Sequence, residues 1–191
     1  MSAIDTSRPD IVAFMAKASA ALGQDLPQPK DVFAFGGGAS NPALSTELLG
    51  KAIRGEKSAT TSWPVPNPMY WSVGDLSVIL DGEGKPGAVM KTTEFVKCKF
   101  RDVAVDFGEA EGEGPYEEYR KGHFWFYGLK EQKAAAWKMG EEFEFGDDSW
   151  VLCERFEVIY PKPEVGTGEE DGNGDDIGEG KDSKDDEANK E

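Results

Sequence analysis

After Tyr160 the chain contains no aromatic residue, and its larger aliphatics there are Val165 and Ile177 alone. Gly, Asp, Glu and Lys dominate the stretch. A segment so poor in apolar surface cannot offset the entropy of ordering it. Whatever folds must therefore be built from residues 1–160, and residues 161–191 are expected to form a disordered acidic tail. Charge divides along the same line. The formal net charge is -16, and half of it falls in the tail, where 12 Asp and Glu outnumber 4 Lys. Such a tail keeps a protein soluble. Its sharper role would be to dock on a basic protein partner or to compete with nucleic acid for a basic surface.

The remaining 160 residues are enough for one domain with its own core. Two cysteines, Cys98 and Cys153, are too few for a disulfide scaffold. They sit in the strand-like runs FVKCKF and VLCERF and are expected to be small buried hydrophobes. Arg8, Asp10 and Lys17 interrupt any secretory apolar stretch at the start, and no run approaches the roughly 20 apolar residues of a membrane span. The expected setting is cytoplasmic or nuclear, away from membranes, with reduced thiols. A single histidine and two cysteines far apart in sequence leave no pattern for a metal site, and no dinucleotide fingerprint is present, so no cofactor is expected.

Periodicity divides the first 160 residues. Ile11, Phe14, Met15, Ala18 and Leu22 recur at helical spacing between Ser7, a candidate cap, with Pro9 behind it, and Gly23. Pro27 and Pro29 break the chain. Gly36-Gly37-Gly38 follows Phe33 and Phe35 without the Lys-Ser/Thr of a phosphate loop, and reads as a turn. Asn41-Pro42 starts a second helix running to about Arg54. Then the period shortens. Leu76–Leu80, Ala88–Phe95, Val96–Phe100 and Ser149–Tyr160 read as strands, with a turn at Asp81–Gly84 and a helix over Tyr116–Tyr127. Short strands with helices set among them predict an α+β fold built on a small mixed barrel with flanking helices.

Several motifs fall in order along this framework. Gly55-Glu56-Lys57-Ser58-Ala59-Thr60 has the form Gly-x-Lys-x-x-Thr. Val73-Gly74-Asp75, the turn Asp81–Pro86 and Phe100-Arg101-Asp102-Val103 follow it. Then come Phe107 to Gly114, with its Glu-Gly-Glu-Gly, Tyr119-Arg120-Lys121-Gly122-His123, and Glu154 to Val158. Over roughly residues 30–160 this set resembles the ASCH domain family, a relative of the PUA fold. The later motifs resemble a bacterial-type branch, with Tyr119 in place of that branch's Trp. The resemblance implies a PUA-like β-barrel over residues 1–160, with a cleft beside Gly-x-Lys-x-x-Thr, and a role in RNA binding. It also implies two alternatives. One is hydrolysis of the acetyl amide of acetylcytidine by the motif Lys and Thr with a later Glu, a chemistry of a shorter branch that lacks the Glu-Gly-Glu-Gly and Arg-x-x-His features. The other is ribonuclease activity.

Carried onto this chain, the resemblance makes Lys57, Thr60 and Glu111 the candidate catalytic residues, with Glu113 as the alternative to Glu111. Gly55, Lys57, Ser58, Thr60, Glu113, Arg120 and His123 become candidate ligand-binding residues. The chemistry is coherent. A Thr60 hydroxyl could attack an amide, a desolvated Lys57 could accept its proton or a charged one stabilise the oxyanion, and a Glu could serve the leaving amine. Lys57 and Thr60, three apart beside a helix end, would share a face in a helix-like turn. Each residue also has a bland explanation. Thr60 can close a turn, Lys57 can be a solvated charge, Glu111 and Glu113 can be surface residues of a Gly-rich loop, and His123 can be packed among Tyr116, Tyr119 and Phe126.

The expected ligand is a nucleotide, a modified nucleoside or a short single-stranded RNA. Bases at Lys51, Arg54, Lys91, Lys97, Lys99 and Arg101, and aromatics Trp63, Tyr70 and Trp71 in the Pro-rich loop, are candidates for holding phosphates and stacking on bases. A chain at -16 repels a long phosphate backbone, which favours a small pocketed ligand.

Overall fold

The computed structural model describes residues 5–129 and 144–162. Most of the expected acidic tail, residues 163–191, lies outside the described residues. Helix α1, Pro9–Leu22, begins with Pro at its first turn and closes at Gly23, whose φ of 66° lets its own N–H reach back to Ala20 O and the Gln24 N–H to Ser19 O. Ser7 is not the cap. Arg8 holds that position without a side-chain bond, and the Ser7 N–H and hydroxyl are engaged by Asp5 at 2.8 and 2.6 Å. Helix α2, Pro42–Ile53, buries Leu48, Leu49 and Ala52.

The sheet has five strands: β1 Asp31–Phe33, β2 Ala59–Ser62, β3 Leu76–Leu80, β4 Pro86–Lys99 and β5 Trp150–Tyr160. Their spatial order is β1-β3-β4-β5-β2, with β1 and β3 parallel and the other pairs antiparallel. The α+β class expected from the sequence is the one found.

Two strands expected over Ala88–Phe95 and Val96–Phe100 are one continuous strand, β4. No turn residue separates Phe95 from Val96. The irregularity lies earlier, where the register with β5 shifts between Thr92 and Glu94. A bulge of this kind bends a strand without ending it.

The weak alternation along Leu76–Leu80 also has a cause. Every residue of β3 is buried, because both of its faces are covered. Leu76, Val78 and Leu80 pack with Ile11, Met15 and Ala18 of α1. Ile79 packs with Leu48, Leu49 and Ala52 of α2, together with Met90 and Phe156. A third cluster gathers Ala59, Trp63, Phe100, Tyr119, Tyr127, Val151 and Cys153 under helices α3, Val105–Ala110, and α4, Tyr116–Tyr127. Short β1 and β2 and the six-residue α3 escape a reading by periodicity, since none is long enough to display one.

Candidate functional site

The Gly-x-Lys-x-x-Thr segment is not one helical turn. Gly55, at φ 78°, ends the run after α2, Lys57 lies in the short link that follows, and Thr60 is already in β2. Backbone bonds hold the segment from both sides. The Ser58 N–H donates to Ala110 O at 2.8 Å, and the Phe156 N–H donates to Ser58 O at 3.0 Å. Ser58 thus stitches the end of α3 to β5 and brings the Glu-Gly-Glu-Gly turn against Lys57. Gly112 permits that approach. Its φ is 72°, and a Cβ there would sit 2.8 Å from Glu56 O and 3.1 Å from Lys57 Cβ. The Lys51 ammonium then ties the turn down through Gly112 O at 2.8 Å.

The result is a buried ion pair. Lys57 Nζ donates to Glu111 Oε2 at 2.7 Å and to Glu111 O at 3.0 Å, and both side chains are no more than 2 % exposed. The Lys57 cation also lies 4.9 Å above the Phe35 ring. Burial opposes the charge on Glu111, but the charges of Lys57 and His123 and the hydrogen bonds from Lys57 and Thr61 together outweigh that penalty and hold the carboxyl below its ordinary range. Glu113 goes the other way: burial, then the charge of Glu111, raises it. Both acids line the same cavity, so neither is the surface residue of a Gly-rich loop.

That cavity measures about 100 Å³. Lys57, Thr60 and Thr61 form one side of it, Glu111 and Glu113 another, and Phe35, Gly36, Leu44 and Leu48 a third. Helix α4 closes it with Gly122, His123, Trp125, Phe126 and Tyr127. A hydrogen-bonded scaffold fixes that last wall. The hydroxyls of Thr61 and Tyr119 are bonded at 2.9 Å, Tyr127 Oη donates to Thr61 O at 2.7 Å, and His123 Nδ1 meets Tyr119 O at 2.9 Å. Burial, then the nearby Glu111 charge, pushes both tyrosine hydroxyls up, so they remain donors. One atom stands outside this network. Glu111 Oε1 is buried with no hydrogen-bond partner, and His123 Nε2 lies 3.6 Å from it.

Of the residues singled out by sequence, the structure gathers Lys57, Thr60, Glu111, Glu113 and His123 around one cavity. Gly55 and Ser58 act through the backbone. Arg120 is turned elsewhere: its guanidinium lies 5.0 Å from the Phe100 ring and pairs with Asp147. Trp63 is buried in the core against Tyr127 rather than displayed. Tyr70 and Trp71 pack against each other with tilted rings, centroids 4.4 Å apart, and do not line this cavity. Sequence reading missed Thr61, Tyr127 and Phe35. The polar pair Thr60-Thr61, of which Thr61 falls on the buried face of β2, was the one available signal.

Two larger open grooves, about 840 and 490 Å³, border the end of α1 and the segment from Gln24 to Pro29. They touch none of the candidate catalytic or ligand-binding residues, and the fully buried charge marks the smaller cavity as the chemically distinctive one. Among the described residues no three His, Cys, Asp or Glu side chains come together as a metal site. Cys98 and Cys153 are free, 3.8 Å apart, and burial raises both thiols, as suits packing rather than nucleophilic chemistry.

The ASCH domain model matches residues 33–160, from β1 through the last strand and across every element of this cavity. The chain belongs to the ASCH domain family. Among solved structures, a protein of the DUF984 family from Enterococcus faecalis V583 is similar, with a TM-score of 0.64 at 25% identity over 78% of this chain and 92% of that one. An ASCH domain from Lactobacillus crispatus JV V101 shares the fold, with a TM-score of 0.62 at 21% identity over 80% of this chain and 95% of that one. No curated protein matches the chain. Among the described residues of this ASCH-family chain, no helix is long and apolar enough to cross a membrane.

Proposed function

We propose that this ASCH-family chain binds a nucleoside, a nucleotide or one nucleotide of a short single-stranded RNA in the cavity between β2, α2 and α4. The observation that carries the reading is the Lys57–Glu111 pair, fully buried at the cavity wall with one carboxylate oxygen unpaired. Buried ion pairs rarely repay their desolvation in stability, since packed apolar residues would do as well or better. Charge retained at such a cost, beside aromatic walls and a second protonatable acid, is the pattern of a binding site. Phe35, Trp125 and Phe126 supply faces for a planar base. The cavity's size and the chain's net charge of -16 favour a small ligand over a duplex. Titration of the full-length chain with nucleosides and short RNAs, read by amide NMR, should move resonances at Thr60 and Gly122. A panel in which no compound moves them overturns the reading.

The second reading is an amidohydrolase acting on acylated nucleosides such as acetylcytidine. One observation favours it: Lys57, Thr60 and Glu111 line the same cavity. In that reading Thr60 attacks the amide carbonyl and gives its proton to the Glu113 carboxylate, Lys57 stands as the cation toward the oxyanion, Glu113 passes the proton to the leaving amine, and water then cleaves the acyl ester on Thr60. Chromatography of acetylcytidine incubated with the protein would show product that disappears in both Lys57→Ala and Thr60→Ala. Turnover that survives Thr60→Ala removes Thr60 as nucleophile. Ribonuclease activity draws no specific support from the cavity.

A further inference from the structure

Trp150, the first residue of β5, is 44 % exposed, and its register partner on β4 is Lys99. Lys97 and Lys99 alternate with Cys98, which packs toward the core beside Val151, so both lysines share the face that Trp150 presents. Their ammoniums lie 5.4 and 4.6 Å from the centre of the Trp150 ring. An indole face holds a cation without neutralising it. The carboxylates at this end of the sheet are already engaged, Asp148 by Arg101 and Asp147 by Arg120. Lys99 reaches only the backbone carbonyl of Asp148. Among the described residues, then, two positive charges sit on one exposed ring with no carboxylate at ion-pair distance. Lysines held on a ring have given up side-chain freedom before any anion arrives, which lowers the cost of binding one.

The chain supplies the opposite charge itself. Residues 163–191 carry 12 Asp and Glu against 3 Lys. Their reach matches the patch. Since β5 runs from Trp150 to Tyr160, the patch lies about 33 Å from the point where this segment leaves the sheet, at roughly 3.3 Å per residue. A Gly-rich chain spans about 5–6 Å times the square root of its residue number. Asp182, Asp185, Asp186 and Glu187 begin 22 residues after Tyr160, which gives them a reach of about 25–30 Å. The nearer run Glu169-Glu170-Asp171 arrives only when the chain is almost fully extended. A single-stranded RNA fits the patch less well. A base would have to stack on a ring that already carries two ammoniums, and a net charge of -16 repels a phosphate backbone.

We propose that the acidic segment Asp182–Glu187 docks on Lys97, Lys99 and Trp150 of its own chain and holds that patch against other polyanions. The tether keeps the segment at an effective concentration in about the millimolar range, so a few exposed ion pairs suffice. The inference stands apart from the nucleoside reading, because none of these residues lines the cavity of Lys57 and Glu111.

Zero-length carbodiimide coupling of the full-length protein, read by peptide mass spectrometry, tests it. In the monomer, Lys97 and Lys99 should be joined to Asp182–Glu187 severalfold more often than Lys17 or Lys30 is. Coupling at Lys97 and Lys99 should fall at least about tenfold in about 1 M salt, where charges are screened within about 3 Å. It should also fall in Trp150→Ala, which keeps both lysines and removes their anchor. Coupling spread evenly over the four lysines, coupling that salt leaves unchanged, or coupling found only in a covalent dimer overturns the inference. The Trp150 indole N–H gives a second readout by NMR. It should move in a full-length variant carrying Asp182→Asn, Asp185→Asn, Asp186→Asn and Glu187→Gln, and an unmoved resonance overturns the inference. A short single-stranded RNA that shifts the indole only in that variant supports it. An RNA that shifts the indole equally in wild type assigns the patch to nucleic acid and overturns it.

Discussion

Two buried carboxyls in this chain have met the same problem in opposite ways. Glu111, at the end of α3, is held below its ordinary range by a buried cation, Lys57, 2.7 Å away. Glu154, in β5, is 8 % exposed, accepts a hydrogen bond from Thr92 Oγ1 at 2.5 Å and is pushed up to about 7, first by burial. The charge of Asp31 adds to that rise. One acid keeps its charge and needs a partner, while the other keeps its proton up to about neutral pH. Glu154 is the cheaper arrangement. Glu111 commits a second charged residue, Lys57, to an interior position and leaves an oxygen unsatisfied, which is why the candidate site is read there and not at Glu154.

Removing the partner of Glu111 should have the largest effect. Lys57→Met leaves a buried carboxylate uncompensated, and the expected loss is about 3–5 kcal/mol in urea unfolding. Replacing both members, Lys57→Met with Glu111→Leu, should recover most of that loss while abolishing ligand binding. A double variant as unstable as the single one would show that the pair itself stabilises the fold.

The pH dependence of stability should carry both signatures with opposite signs. Glu154 binds its proton more tightly when folded than when unfolded. Its contribution is present at low pH and is lost as pH rises from about the ordinary Glu value through about 7, up to about 3 kcal/mol in all. Glu111 contributes above its ordinary range and loses that contribution as pH falls below it. Unfolding midpoints measured from pH 4 to 8 should therefore decline toward the upper end in wild type. The decline should flatten in Glu154→Gln. A decline that persists in that variant removes Glu154 as its source.

Smaller effects sharpen the contrast. Thr92→Val takes the hydroxyl from Glu154 and should cost about 1 kcal/mol, with the Glu154 titration moving further up. Gly122→Ala should be nearly neutral. Alanine in a helix interior gains about 1 kcal/mol over glycine, but its Cβ would stand 3.3 Å from Glu113 Oε2 and crowd that carboxyl. The variant should match wild type in stability yet lose ligand affinity, which calorimetry would read in one experiment.

The contrast between the two acids also shows where sequence reading was strong. Helices α1, α2 and α4 and strand β3 were legible because each is long enough to show a period or carries its own start and stop residues. The division of β4 was misread, because a bulge at Thr92–Glu94 leaves no turn residue to mark it. The candidate residues Lys57, Thr60, Glu111, Glu113 and His123 are legible as members of ordered motifs, and Arg120 belongs to the same motif as His123. Arg120 and His123 are three apart on α4, yet Arg120 runs to Asp147 while His123 faces Glu111.

By itself the sequence determined which stretches bury apolar surface and that α2 ends before Gly55. Those are local properties, set by side-chain spacing and by the φ angles that glycine allows. Only the tertiary structure decided that Lys57 meets Glu111 across 54 residues of chain, that Glu113 shares their cavity, and that Glu154 is left to hold a proton. Those outcomes depend on desolvation and on distances between elements far apart in sequence. A carboxyl's charge is settled by what surrounds it after folding, and no spacing along the chain encodes that surrounding directly.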